Sequence, residues 1–193
     1  MKSTFALLTM AGLSLGTSAL AQTRDTMSIG VSIEPPGLDP TRSPSEAIGT
    51  ITYNNVYEGL TRLDRDGHVQ PLLARTWTVS DEGRVYHFAL QENVHFHDGT
   101  LLTCENVRFS LLRAGTTSST NPYRTFFTNI ADVSRPDTTH TDITLNKAHG
   151  SFTYELAWND ASLLSPSSAA KNASHPIGSG PFLFQAWQRG DHV

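Results

Sequence analysis

The sequence contains little cysteine and no long hydrophobic segment. Cys104 is the single cysteine among 193 residues, so neither an intramolecular disulfide nor a cluster of thiolate metal ligands can form. The longest mainly apolar stretch, residues 5–15, is shorter than the roughly 20 residues that a membrane-spanning helix needs. We therefore expect no membrane span and a fold that depends on its apolar core.

Positive charge is also scarce. The chain has 14 Lys and Arg against 18 Asp and Glu, which gives a formal net charge of −4. No basic run is dense enough to follow a phosphate backbone, so nucleic acid is not an expected partner. Apolar residues make up 38% of the chain, which is enough for a packed core and too much for a disordered chain.

The N-terminus has the three parts of an export signal. Lys2 supplies positive charge, residues 5–15 are mainly apolar or small, and residues 19–21 (Ala-Leu-Ala) match the small-x-small cleavage pattern. We expect residues 1–21 to be a signal peptide, whose removal from 193 residues would leave 172. Gln22, and not a cysteine that could accept a lipid, follows the cleavage site, so the sequence predicts a freely diffusing protein of the periplasm.

The remaining sequence alternates between strand and helix patterns. Period-2 alternation predicts strands, and apolar spacing near 3.6 residues predicts helices. The predicted strands cover residues 27–33, 130–133 and 143–145, and the predicted helices cover residues 46–57, 103–115 and 152–158. Residues 165–176, rich in Ser, Pro, Ala and Asn, are expected to form a surface connection.

Three acidic-Gly turns divide residues 60–99. Gly67, Gly83 and Gly99 each follow Asp or Glu, and they are spaced 16 residues apart. Because Asp-Gly between apolar runs is typical of hairpins, the sequence predicts an antiparallel meander over residues 60–99.

One histidine-rich segment could hold a metal ion. His95 and His97 would share one face of a strand beside Asp98, a set that suits zinc or nickel. The alternative is that Asp98 bonds to its own backbone in the turn and the histidines lie on a solvated face. We expect the second arrangement, with no metal. No serine-hydrolase elbow, phosphate loop, dinucleotide-binding turn or zinc-protease motif occurs, so no enzyme is expected.

Five motifs occur in a fixed order along the chain. They are Pro35-Pro36-Gly37-Leu38-Asp39-Pro40, Tyr57-Glu58-Gly59-Leu60, Pro71-Leu72-Leu73-Ala74-x-x-Trp77-x-x-Ser80, Val94-x-Phe96-His97-Asp98-Gly99 and Pro176-Ile177-Gly178-Ser179-Gly180-Pro181-Phe182. Together they resemble the peptide/nickel class of bacterial extracellular solute-binding proteins, family 5. The resemblance extends over residues 26–193.

This resemblance implies a fold and a role. The fold would be α/β with mixed sheets, like periplasmic binding proteins of type II. Residues 22–193 would be a truncated family 5 domain that forms only the amino-terminal part of the first lobe, with residues 176–193 returning toward the main sheet. The parent protein would be a monomer without a cofactor. It would capture a solute between two lobes and deliver it to the permease subunits of an ABC transporter.

The resemblance also implies which residues touch the ligand. The loop at residues 42–50 would contribute Ser45, Glu46 and Thr50, and the aromatic residue before the second strand pair would be Tyr123. Residues 158–161 would contribute Trp158 and Asp160. Nickel-chelate receptors offer an Arg near the position of Asp160, so the carboxylate here favours a ligand with a free amine, such as a peptide.

Several alternatives stay open from the sequence. The first expectation is a receptor for oligopeptides or dipeptides, and the second is a nickel-chelate, haem or opine receptor on the same scaffold. A hydrolase or a nonfunctional truncated product would be further alternatives. A full-length parent should bind peptides well and this chain only poorly, because one lobe cannot enclose a ligand. The chain should also expose apolar side chains at Ile29, Val31, Phe182 and Phe184.

Overall fold

The computed structural model describes residues 26–193, which fall into two units, residues 26–32 and residues 33–193. The predicted signal peptide lies outside the described residues. The second unit has mixed α/β structure, as the sequence predicts. Its strands are β1 (Thr61–Leu63), β2 (Val69–Pro71), β3 (Ala74–Ser80), β4 (Val85–Leu90), β5 (Ile130–Ser134) and β6 (His140–Leu145), and its helices are α1 (Glu46–Thr52), α2 (Cys104–Gly115), α3 (Arg124–Phe127) and α4 (Phe152–Glu155).

All three predicted glycine turns form. Gly67, Gly83 and Gly99 have φ of 81°, 88° and 82°, a backbone conformation that glycine adopts without the steric cost of a Cβ. The first turn joins β1 to β2 and the second joins β3 to β4, in both cases as antiparallel pairs. The third turn connects no pair of strands in the described residues. It is closed by an isolated β-bridge between His95 and Leu101. The strands of the predicted meander therefore divide between two sheets.

The main sheet has four antiparallel strands in the order β3-β4-β6-β5. Alternate residues point to one face, which is buried against α2 and α4, as the period-2 pattern predicts. The predicted pair at residues 130–133 and 143–145 corresponds to β5 and β6. The centre of this core includes Tyr86, Phe88, Val107, Leu111, Val133, Ile143, Leu145 and Phe152.

Helix α2 begins and ends where the sequence predicts. The side-chain Oδ1 of Asn106 accepts hydrogen bonds from the backbone N–H and the hydroxyl of Thr103, at 2.8 and 3.0 Å, which caps the first turn. At the other end, a Cβ on Gly115 would lie 3.0 Å from the carbonyl oxygen of Phe127. The small residue therefore lets α2 pack closely against α3.

Helix α1 is shorter than predicted. It ends at Thr52, and Asn54 then adopts a positive φ of 53°, which turns the chain. Tyr57, predicted within the helix, packs instead in a second buried cluster that includes Ala169. Residues 165–176 are consequently no simple surface connection, because this stretch is partly buried against that cluster.

No strand forms over residues 27–33, so that prediction is wrong. An alternating pattern becomes a strand only where a neighbouring strand completes its backbone hydrogen bonds, and neither sheet includes this segment. Ile29 is 73% exposed, and Val31 and Phe182 are exposed as expected, whereas Phe184 is partly buried.

Residues 176–193 join neither sheet, which corrects the expected return to the main sheet. The backbone N–H of Gly180 donates instead to the carbonyl of Val56 at 3.0 Å, so the segment runs along the loop that follows α1. A Cβ on Gly178 or Gly180 would overlap with the backbone carbonyl of Val56 or Asn55. The close passage predicted for the glycines is confirmed. Among the described helices, none has the length and hydropathy to cross a bilayer.

The turn at Gly83 leads to a stability prediction. We expect Gly83→Val to lower the free energy of unfolding by about 1–2 kcal/mol, because valine is strained at a φ of 88°. Gly150→Val is the matched control, since a Cβ there meets no atom within 4 Å and its φ is not positive. Urea unfolding followed by circular dichroism measures both. Equal stabilities of the two variants would contradict the turn geometry.

Candidate functional site

Two of the predicted ligand-binding residues form an aromatic contact. Tyr123 precedes α3, and Trp158 follows α4, and their ring centroids lie 4.6 Å apart at an interplanar angle of 56°. Tyr154 of α4, which sequence reasoning missed, extends the group, with its ring centroid 6.1 Å from that of Trp158 at 80°. Tyr123 is 45% and Tyr154 40% exposed. Trp158 is partly buried. These three rings, the aromatic group below, are therefore open to solvent mainly at the two tyrosines.

Asn121 ties this group to the predicted acidic residue. Its Oδ1 accepts a hydrogen bond from the backbone N–H of Tyr123 at 2.8 Å, and its Nδ2 donates to the backbone carbonyl of Asp160 at 3.0 Å. The Asn121 side chain is buried, so these bonds fix two distant segments relative to each other. The structure thus brings together Tyr123, Trp158 and Asp160.

The carboxyl group of Asp160 is only partly hydrated. Burial raises the pKa of this group to about 6, and a hydrogen bond from its own backbone N–H opposes that increase. In residues 26–193, no Lys, Arg or His forms an ion pair with Asp160. A carboxylate that is partly buried without a protein cation is suited to receive a cation from a ligand.

The other three predicted residues lie on or beside α1. A Cβ on Gly49 of that helix would lie 3.2 Å from the side chain of Asn159, so α1 packs next to the segment that carries Asp160. Ser45 and Glu46 lie one turn before Gly49 on that side of the helix. Thr50 lies one helical turn after Glu46. The Thr50 hydroxyl donates to the carbonyl of Glu46 at 3.1 Å, and both side chains are exposed.

His97 holds the Gly178–Gly180 segment in place. Its Nδ1 accepts from the backbone N–H of Gly178 at 3.3 Å, and its Nε2 donates to the carbonyl of Gly180 at 2.8 Å. Both ring nitrogens are therefore engaged. Asp98 accepts from the backbone N–H and hydroxyl of Thr100, the turn arrangement expected from the sequence. His97 and Asp98 consequently have structural partners.

A second carboxylate lies next to this segment. Glu58 accepts a hydrogen bond from the Ser179 hydroxyl at 2.8 Å and lines an open depression of about 610 Å³ together with Arg62 and Gln91. Burial raises the pKa of Glu58, while the Ser179 hydroxyl and the nearby His97 lower it. Unlike Asp160, Glu58 therefore already has a hydrogen-bond donor from the protein.

A Ser-His-Asp series that sequence reasoning missed crosses the outer face of the main sheet. Ser80 Oγ lies 2.9 Å from His87 Nε2, and His87 Nδ1 lies 2.8 Å from Asp142 Oδ1. Ser80 is exposed, and Asp81 and Glu82 follow it directly. Two adjacent carboxylates disfavour the oxyanion that acyl transfer requires. We therefore assign these residues to cross-strand stabilisation of the sheet.

The described residues thus form an α/β scaffold whose aromatic group lies close to the segment that carries Asp160. The chain belongs to the bacterial extracellular solute-binding proteins, family 5, whose middle-region family model matches residues 68–193. Family 5 comprises solute-binding proteins of ABC transporters. The resemblance given by the five motifs is thereby confirmed.

Individual relatives show similarity over most of this chain. The glutathione-binding protein GsiB of Escherichia coli O1:K1 is 30% identical over 160 residues, which cover 81% of this chain and 31% of GsiB. The probable D,D-dipeptide-binding periplasmic protein DdpA of Escherichia coli K12 is 30% identical, covering 88% of this chain and 35% of DdpA. The chain spans about a third of the length of these relatives.

A solved structure with the same fold carries a different ligand. The periplasmic binding protein AgaA from A. tumefaciens R10, in complex with agropinic acid, is 28% identical and superimposes with a TM-score of 0.75. The match covers 81% of this chain and 32% of AgaA. The relatives of this chain thus include receptors of more than one ligand type.

Proposed function

We propose that this chain is part of a periplasmic substrate-binding component of an ABC transporter, and that it captures oligopeptides or dipeptides by their free amine for import. The permease subunits of the transporter would be its protein partners. The predicted signal peptide and family membership support this location and role. The similarity to GsiB and DdpA, named for glutathione and D,D-dipeptides, supports the peptide class.

The observation that carries the proposal is the environment of Asp160. Asp160, a partly buried carboxylate without a cationic partner in residues 26–193, lies two residues after Trp158, and Asn121 ties its backbone to that of Tyr123. An ammonium group there would neutralise the carboxylate, while the rest of a short peptide lies along the aromatic group. Backbone groups of the peptide would then be held mainly through hydrogen bonds, with tolerance for its side chains.

A second candidate is a receptor for a chelate or an opine. The structural similarity to AgaA with agropinic acid favours this alternative. Asp160 opposes it, because a ligand that presents a carboxylate at this position would meet a like charge. The two candidates therefore differ in the sign of the ligand group that Asp160 should tolerate.

The test varies the charge at the N-terminus of the ligand and the charge at residue 160. We expect Ala-Ala to bind the chain with a Kd in the millimolar range, since one exposed surface encloses little of the ligand. Asp160→Asn should weaken binding of Ala-Ala by about 1–3 kcal/mol. N-acetyl-Ala-Ala should bind the unmodified chain as weakly as Ala-Ala binds the variant. NMR titration measures all four combinations. Equal Kd values in the four would show that Asp160 does not contact an amine, and preference for the acetylated peptide would favour the anionic ligand class.

The same contact predicts a pH dependence. Because the pKa of Asp160 is raised to about 6, the carboxyl group is mostly ionised at pH 7 and mostly protonated at pH 5. The α-amine stays protonated throughout this range. Affinity for Ala-Ala should therefore fall about tenfold from pH 7 to pH 5, in proportion to the ionised fraction. The Asp160→Asn variant should show no such fall. An equal fall of affinity in the variant and the unmodified chain would mean that another group titrates.

A further inference from the structure

The aromatic group has the geometry of a cation-binding surface. Trp158 is shared between two tyrosines, and the planes of Tyr123 and Tyr154 are inclined to it by 56° and 80°. Rings at such angles form the walls of a corner, whereas a parallel stack would cover its own faces. Because the two tyrosines are 45% and 40% exposed, part of this aromatic surface is open to a ligand.

No cationic side chain in the described part of the chain occupies these rings. In residues 26–193, the cation–π contact lies at another tryptophan, where the guanidinium carbon of Arg189 is 4.1 Å from the ring centroid of Trp187. Trp158, with a carboxylate two residues later, has no such partner. The exposed parts of the ring faces therefore remain available to a positive ligand group.

We propose that Tyr123, Tyr154 and Trp158 form an aromatic cage that accepts an N-methylated or quaternary ammonium group, with Asp160 as its counter-charge. This inference rests on the proposed function and extends its ligand class from free amines to methylated amines. A quaternary nitrogen cannot donate hydrogen bonds, so its binding depends on ring faces and on charge without directional contacts. A site built only from hydrogen-bond acceptors would reject it.

The test uses three dipeptide probes that differ at one position. They are Ala-Ala, N,N,N-trimethyl-Ala-Ala, and the same trimethyl compound with carbon in place of the quaternary nitrogen. The last has the same shape but no positive charge at this position, and it is the neutral compound in this sense below. Binding to the full chain is followed through the indole N–H signal of Trp158 in NMR spectra, which is assigned by its loss in Trp158→Phe. We expect the trimethylated peptide to bind at least as tightly as Ala-Ala, and the neutral compound to bind at least about threefold more weakly.

Single substitutions test whether the two tyrosine rings contact the ligand. Tyr123→Leu and Tyr154→Leu should each weaken binding of the trimethylated peptide by about threefold or more, because each removes one ring face. Phe182→Leu, which alters an exposed aromatic side chain outside the cage, should leave the Kd unchanged. Thermal unfolding of every variant verifies that the fold is retained, and the two tyrosine variants test the cage independently of each other.

The outcomes distinguish this inference from the proposed function. If Ala-Ala binds and the trimethylated peptide does not, the cage is disproved while amine recognition stands. Equal binding of the charged and neutral trimethyl compounds would also overturn the cage, since contact would then be apolar only. If the trimethylated peptide binds through the three rings and Ala-Ala does not, the cage stands and the free-amine function fails.

Discussion

Gly178→Ala should lower the free energy of unfolding by about 3 kcal/mol or more. The added Cβ would overlap with the carbonyl oxygen of Val56 and approach the ring of Tyr57 to 3.0 Å. Val56 cannot move away easily, because its carbonyl accepts the hydrogen bond from Gly180. The carbonyl of Gly178 itself accepts from the backbone N–H of His97 at 2.8 Å, so the substitution strains contacts on both sides.

Urea unfolding of Gly178→Ala beside Gly150→Ala measures this effect. Position 150 is open, and alanine there should change stability by less than about 0.5 kcal/mol. Gly180→Ala should resemble Gly178→Ala, since its Cβ would overlap with the carbonyl of Asn55. If Gly178→Ala were as stable as the Gly150 variant, the close passage of these two segments would be incorrect.

Local turn chemistry was predictable because a few adjacent residues determine it. The acidic residues before Gly67, Gly83 and Gly99 mark turns whatever surrounds them, and each glycine has a positive φ. The cap at Thr103 is equally local, since its partner Asn106 lies three residues away. These features needed no knowledge of the tertiary structure.

Features that depend on distant partners could not be predicted in the same way. Residues 27–33 have the pattern of a strand, but pairing requires a neighbour that the pattern does not specify. Tyr57, predicted within α1, lies instead in a buried cluster with Ala169, which is 112 positions later in the chain. The buried stretch at residues 165–176 is polar in sequence and is covered only through tertiary contacts.

The candidate site shows the same division. Tyr123, Trp158 and Asp160 were proposed through the family resemblance, and the structure brings them together. Asn121 joins them across 39 residues, a relation that no local pattern reveals. Tyr154 was missed, although its spacing of four residues from Trp158 places both on one side of a helical turn. That spacing was the sequence feature from which Tyr154 could have been identified.

Phe88→Ala should lower the free energy of unfolding by about 3–5 kcal/mol. Phe88 is fully buried in β4, which lies between β3 and β6 in the main sheet. Its ring centroid lies 6.1 Å from that of Trp77 and 6.3 Å from that of Tyr86. Alanine would leave a cavity among large side chains of neighbouring strands, and hydrogen-bonded strands can close such a cavity only in part.

The matched control is Phe182→Ala, because this phenylalanine is 64% exposed. The same truncation there should change stability by less than about 0.5 kcal/mol. Phe88→Leu, which keeps much of the buried volume, should fall between the two alanine variants. Denaturant midpoints and slopes from circular dichroism measure all three variants. Similar losses of stability for Phe88→Ala and Phe182→Ala would place Phe88 outside the core. The expected order, with the largest loss for Phe88→Ala, would show that the packed face of the main sheet supplies the scaffold on which α4 and the aromatic group are held.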